Sequence, residues 1–255
     1  MICCIIQART GSTRLPKKVI EKIDSKNTVL NYVINQIKYS KKIEKIIVAT
    51  TNLIEDDIIC QHVNLQKIEC FRGSSDDVLD RFYQCAKKNS VDTIVRITAD
   101  NPLIDPNIID RVIDEYKNKE CDFVTNTLDR TFPYGTEVEI FSFQSLKKAW
   151  KNAKKPSERE HVTPFIRNPE NKFILNNIKY QKDMSHLRYT IDRMDDLKLV
   201  KEIVKNISIR PILIEDIIKL YKNKPEIFEI NKRIKHDGYC SSLKKDEQYF
   251  KSKKN

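Results

Sequence analysis

Arg9, Ser12, Arg14 and Lys18 stand close together in the run IIQARTGSTRLPKKV of residues 5–19, with Gly11, Thr13 and Lys17 between them. That mixture suits an anion. Gly11 frees main-chain N–H groups to point at it, Ser12 and Thr13 add hydroxyls, and four cations add charge and donors. The apolar run before the loop, residues 2–6, reads as a buried strand. Pro16 cannot continue a strand ladder, so the loop lies at the rim of the sheet. In open α/β sheets ligands sit at that rim, beyond the carboxyl ends of the strands. The expected ligand is a nucleoside triphosphate. The run contains neither GxxxxGK[ST] nor GxGxxG, which argues against a P-loop ATPase and a nicotinamide enzyme. The competing reading places Arg9 and Arg14 in surface ion pairs worth little.

Two acids follow β-rich runs and are expected at the same rim. Asp100 comes after residues 93–97, and Asp192 after residues 187–191. A carboxylate facing a phosphate site makes sense with a hard cation between them, and Mg2+ takes few protein oxygens. Asp100 is therefore expected as a metal ligand and Asp192 as a candidate second one. Asp105, ahead of Pro106, is expected to cap a helix instead. Asp192 is also a candidate cap for the helix bearing Leu197 and Val200, a role that Asp195 can take. Later loops carry Asn126, Arg130, Tyr134, Glu137, Glu139, Arg159, His161 and Arg188, and they are expected to build an acceptor pocket. There Arg130 and Arg188 suit a carboxylate or phosphate, and Glu137 suits sugar hydroxyls. Glu160 fits a Ser157-x-x-Glu160 capping box. His161, next to it, is divided evenly between a catalytic and a packed role.

The elements that must position these residues alternate. Strands are expected at residues 2–6, 45–49, 68–71 and 93–97, with helices at 28–39, 55–63, 75–88 (capped by Ser75) and from Asp105-Pro106. This rhythm implies a mainly parallel sheet with helices on both faces. From Asp122 it changes to strands near 123–125, 137–141 and 187–191. A helix at 213–221 and a basic, partly mobile tail follow. Accordingly, residues 1–209 are expected to form the catalytic domain, with acceptor-site insertions at about 122–190. Residues 210–255 add a helix and tail to that same domain.

Composition narrows the function. The net charge of +11 comes mainly from scattered lysines without interleaved aromatics, so nucleic acid is not expected as a partner. No apolar run approaches a membrane span, and a cytoplasmic location without membrane insertion is expected. The seven cysteines show no C-x-x-C pair and read as buried free thiols.

Taken in order, the motifs resemble the cytidylyltransferase family of the spore coat polysaccharide biosynthesis protein F type, related to the CMP-KDO and CMP-sialic acid synthetases. Residues 7–18 match Q-A-R-x-G-S-T-R-L-P-G-K, and residues 71–81 match F-R-G-S-x-D-D-V-L-D-R. Residues 96–105 match R-x-T-G-D-x-P-L-I-D, and residues 125–135, 157–164 and 231–243 match later motifs. The resemblance implies a GT-A-like (Rossmann-like) α/β fold and transfer of CMP from CTP to an acidic sugar-like acceptor, with Mg2+ as cofactor and a homodimer. It places Gln7, Ala8, Arg9, Gly11, Ser12, Arg14, Lys18, Thr98 and Asp100 on the nucleotide. Arg72, Gly73 and Ser74 fall near the base, and Asp100 and Asp192 on the metal. Arg9, Lys18, Asp100 and Asp192 carry catalysis. Lys17 and Ala99 stand where the family has glycine. Two alternatives remain: a GT-A glycosyltransferase, which commonly shows a D-x-D motif at a strand end, and a non-catalytic basic module binding polyanions.

Overall fold

Strand β1 (Ile2–Gln7) is apolar at every position but its last because both of its faces are covered. Ile2, Cys4 and Ile6 enter one core, and Cys3 and Ile5 the other. The computed structural model describes residues 1–234 and 238–252. After β1 come α1 (Val29–Ile37), β2 (Lys45–Thr51), α2 (Asp57–Asn64), β3 (Glu69–Gly73), α3 (Val78–Lys88), β4 (Thr93–Thr98) and α4 (Pro106–Asn118). The second half holds β5 (Phe123–Thr125), β6 (Glu139–Ser142), α5 (Phe143–Asn152), α6 (Pro156–His161), α7 (Pro164–Arg167) and β7 (Leu175–Asn177). It closes with α8 (Met194–Asn206), α9 (Ile214–Asn223) and α10 (Gly238–Ser252).

The strands form one sheet in the order β3-β2-β1-β4-β6-β5-β7. Pairing is parallel from β3 to β4 and again between β5 and β7, while β6 runs antiparallel to both neighbours. Helices α1, α4, α8 and α9 cover one face, and α3, α5 and α7 the other. This is the expected mainly parallel sheet with helices on both faces. No helix among the described residues is long and apolar enough to cross a membrane.

Local signals explain several boundaries. Thr28 caps α1 by accepting the Asn31 N–H, and the Asp105 carboxylate caps α4 through the Asn107 N–H. Asp105 also accepts the Ile214 N–H at 2.8 Å, tying α9 to the same core. Elsewhere the expected caps move. Asp77 rather than Ser75 caps α3, because Ser74 already turns the chain by accepting the Asp77 N–H. On α6, Glu158 takes the N–H groups of Lys154 and Lys155, so Glu160 is not the box acid. On α8, Asp196 rather than Asp195 holds the helix start, accepting the N–H groups of Asp192 and Arg193 at 2.9 Å each.

Three larger expectations need correction. Residues 187–191 are no strand: they form a strap that pairs only as a bridge between Tyr134 and Arg188. The Tyr189 N–H donates to Tyr134 O, and the Ile191 N–H to Asp100 O, both at 2.8 Å. β6 begins two residues later than expected, since the Glu137 carboxylate folds back onto the Gly135 N–H. Cys60 on α2 and Cys70 on β3 form a disulfide, their Cα atoms 5.4 Å apart, so they are not free thiols. The packing of α2 on β3 brings the pair together. Cys3, Cys4 and Cys85 are free and buried. Of the basic tail, residues 238–252 are helical as α10, and residues 235–237 and 253–255 lie outside the described ones.

Lys17 sits in the left-handed region at φ 58°, where glycine is at ease and a side chain costs about 1–2 kcal/mol. Its N–H closes the loop onto Thr10 O at 2.9 Å while its side chain faces solvent. Lys17→Gly is therefore expected to stabilise the fold by about 1 kcal/mol, read as a higher urea midpoint at unchanged slope. An unchanged midpoint would mean that the loop stores no strain there.

Candidate active site

The first loop is anchored before it is charged. The Thr10 N–H and hydroxyl both donate to Asp56, at 2.7 and 2.6 Å, and the Thr51 hydroxyl joins them. Thr10 O in turn accepts the N–H groups of Ser12 and Lys17. The loop so curled lines a cavity of about 470 Å³ with Gln7, Arg9, Gly11, Ser12, Arg14 and Lys18, and Thr98 and Asp100 close its other wall. Of the residues expected on a nucleotide, Ala8 lies buried beneath this wall, its N–H on Ala49 O. Arg72, Gly73 and Ser74 lie outside it. The Arg72 guanidinium reaches Thr51 O, Leu53 O and Asp57 instead.

Lys18 organises the centre. Its ammonium is held by Asp100 at 2.7 Å, by Ile191 O at 2.7 Å and by Asp192 at 3.0 Å. The strap thereby closes onto the first loop across 173 residues of sequence. Asp192 accepts further donors from Arg14 at 2.6 Å and Arg188 at 2.7 Å, and Arg188 also grips Asp196. Burial alone would push the Asp192 carboxyl up. The Lys18 charge, the Arg188 and Lys18 hydrogen bonds and the Arg14 charge outweigh it and hold the carboxyl at about 2, against an ordinary 3.8. A depressed carboxyl contributes stability that is complete above its unfolded pKa and disappears as the pH falls through its folded one. Wild type should therefore lose about 2 kcal/mol relative to Asp192→Asn as the pH falls from 4 towards 2. Chemical denaturation of both proteins across that range checks it, and a constant difference between them would remove Asp192 as the acid-sensitive group.

A second cavity of about 720 Å³ adjoins the first, sharing Thr98, Asp100 and His161 with it. Arg130, Tyr134, Glu137, Glu139 and Arg188 line it. Asn126 does not: it is fully buried, its amide bonded to Thr136 O and the Val138 N–H. Arg159 pairs with Asp77 away from the cavity. The acids order the cations along the wall. Glu137 holds Arg130 at 2.7 Å and the Asn101 amide at 2.9 Å, and Arg130 lies over the Tyr134 ring. Glu139 takes Arg96 at 2.5 Å and the Thr163 hydroxyl at 2.9 Å, with Arg167 at 3.8 Å.

His161 and Thr163 enter this cavity from either side of a tight turn at Val162, where φ is 71° and the Thr163 N–H donates to His161 O at 2.8 Å. A β-branched residue with that φ is strained, and burial of Val162 in the second core holds it there. The His161 ring bonds the Ser242 hydroxyl of α10 at 2.8 Å. Burial, and then the charge of Arg96, push its pKa below the usual value, so the ring is neutral at pH 7. Arg96, Arg167 and Thr163 were missed from the sequence. Arg96 was detectable as the one charge in a β-branched strand. Arg167 gave no signal, because only the Val162 turn brings its helix to the cavity.

The model of the family described as cytidylyltransferase matches residues 3–234. The chain belongs to that family. It is accordingly a CTP-dependent nucleotidyltransferase. An uncharacterized protein of Methanocaldococcus jannaschii is 41% identical over 238 residues, covering 92% of this chain and 96% of that one. The spore coat polysaccharide biosynthesis protein SpsF of Bacillus subtilis is 30% identical over 233 residues, covering 88% and 95%. A solved cytidylyltransferase structure from Leptospira borgpetersenii superposes with a TM-score of 0.87 at 33% identity, covering 92% of this chain and 99% of that one. The Rossmann-like fold expected from the motifs is thus the fold of the family.

Proposed function

We propose that the chain transfers CMP from CTP to an acidic sugar or sugar-like acceptor, releasing pyrophosphate, in the synthesis of a surface glycan. The observation that carries this reading is the position of Asp100, on the shared wall of a cationic loop cavity and an arginine-lined one. Arg9, Arg14, Lys18 and the Ser12 hydroxyl bind the triphosphate in the first. Arg130, Arg167 and Arg188 offer donors to an acceptor carboxylate or phosphate in the second. The acceptor oxygen bonds to the α-phosphorus, the α–β phosphoanhydride bond breaks, and the hydroxyl proton goes to solvent. Alignment and charge neutralisation dominate such a step. Arg9, Arg14 and Lys18 offset the charge growing on pyrophosphate.

Asp100 and Asp192 would hold Mg2+. Two carboxylates meeting on one ammonium fit a hard dication that takes its other ligands from phosphate and water. Among the described residues no group of three or more His, Cys, Asp or Glu competes with them. When bound, the ion neutralises charge at the α-phosphate. The proposal includes a cytoplasmic homodimer, with no nucleic acid among its partners. It is tested by pyrophosphate release from CTP, UTP, ATP and GTP with Mg2+ across a panel of acidic acceptors. Release from CTP that requires one of those acceptors is expected. Equal release from UTP, or none with any acceptor, overturns the proposal.

A further inference from the structure

The arginines of the larger cavity are not equally available. Arg96 donates to Glu139 at 2.5 Å and to the Gln7 side chain at 3.0 Å. Arg130 is held by Glu137 at 2.7 Å and lies on the Tyr134 ring, and Arg188 is held by Asp192 and Asp196 at 2.7 and 3.0 Å. These three side chains are at most 18% exposed, and each braces the wall. Arg167 differs. Its side chain is 36% exposed, and its guanidinium donates no hydrogen bond to any described residue. The acid beside it is Glu139, at 3.8 Å, whose two oxygens already take Arg96 and the Thr163 hydroxyl. A partly exposed pair at that distance holds a side chain only weakly.

The arm is loose, but its base is fixed. Arg167 ends α7, and Phe165 and Ile166 of that helix pack in the second core. The Asn171 amide donates to Phe165 O at 2.7 Å, and the Arg167 N–H to Thr163 O at 2.9 Å. A rigid support thus presents an uncommitted guanidinium fork to the cavity, which suits an anion with paired oxygens. Its place in the sheet decides which part of an acceptor it meets. Glu139 pairs with Arg96 inside β4, whereas Asp100 lies beyond the end of that strand. Extended chain separates Arg96 from Asp100 by up to about 13 Å. Arg167 lines the larger cavity alone, while Asp100 stands on the wall shared with the loop cavity. An anion on Arg167 is therefore one carried away from the reacting end of the acceptor.

We propose that Arg167 is the specificity residue for the acceptor, its guanidinium taking a carboxylate or phosphate distal to the attacking hydroxyl. The inference rests on the larger cavity being the acceptor site. It is tested on the full chain by pyrophosphate release from CTP with Mg2+ in wild type, Arg167→Gln and Arg167→Lys, alongside thermal melts. The acceptors are sugar acids and sugar phosphates whose anion is either distal to the attacking hydroxyl or next to it, each with its amide or dephosphorylated counterpart. Arg167→Gln is expected to melt with wild type, since only a weak pair is lost. It should raise the KM of the distal-anion acceptor on the order of 100-fold at nearly unchanged kcat, and leave the KM of CTP and of the neutral counterpart alone. Arg167→Lys keeps the charge without the fork and should fall between the two. Whether the sugar acid or the sugar phosphate shows the effect identifies the anion. An unchanged acceptor KM in Arg167→Gln overturns the proposal, as does an equal rise for the neutral counterpart. So does a wild type that uses only acceptors without a distal anion, or a raised KM for CTP, which would put Arg167 on the nucleotide. A wild type that releases no pyrophosphate with any of these acceptors overturns the reading of the cavity itself, and the role of Arg167 with it.

Discussion

Asp100→Asn is expected to lower pyrophosphate release from CTP by on the order of 1000-fold while leaving the fold intact. The asymmetry follows from what Asp100 touches. Its side chain is a quarter exposed and holds one recorded donor, the Lys18 ammonium. The amide that replaces it fills the same space and still accepts that hydrogen bond, so the loss of stability should be no more than about 1 kcal/mol. Catalysis should lose more, because the substitution removes a full negative charge from the wall shared by the two cavities, where on the proposed function a divalent ion would balance phosphate. Initial rates measured over a Mg2+ titration, with a thermal melt of the same preparation, separate the two effects. A near-normal rate at saturating Mg2+ would remove Asp100 from the metal site.

Lys18→Met should cost more in stability than any other single change in the loop, about 3 kcal/mol. Lys18 is 10% exposed, and its ammonium is the only group recorded between Asp100 and Asp192 among the described residues. Burial by itself would lower its pKa, and the two carboxylates more than reverse that. Without it, two carboxylates confront each other with only Arg14 and Arg188 left on one of them. Without the Lys18 charge the Asp192 carboxyl should hold its proton more tightly, so the variant should lose less stability than wild type as the pH falls from 4 towards 2. Mg2+ alone, without nucleotide, should raise the melting temperature of Lys18→Met more than that of wild type, since a dication can replace the missing charge. Equal responses to Mg2+ would mean that the pair does not take a dication.

What the sequence revealed was what short-range physics decides. The apolar run before the loop, the Asp105 cap and the helical spacing in residues 28–39 all depend on neighbours within one turn, and they stand where expected. Asp100 was legible for the same reason, being an acid just past the end of a β-branched strand. Other features depend on contacts far along the chain. The strap at residues 187–191 has the composition of a strand, but its hydrogen bonds go singly to Tyr134 and Asp100 rather than along a ladder. Asn126 has the look of a loop ligand, and only the returning segment at Thr136 and Val138 shows it to be a buried clamp. The Val162 turn had no signal at all, since valine disfavours the backbone it adopts.

Strand β4 marks a seam. On one side it pairs in parallel with β1, which leads into the cationic loop; on the other it pairs antiparallel with β6, which belongs to the arginine-lined half. Thr98 at its end belongs to both cavities. The two cavities are thus lined by separate stretches of chain that meet along one strand, residues before about 100 lining mainly one and residues after about 123 mainly the other. An arrangement of that kind is modular. On the proposed function, exchanging the later stretch between relatives would alter what receives the transferred group while keeping what supplies it, and a chimera joined just after β4 is where such re-targeting would start.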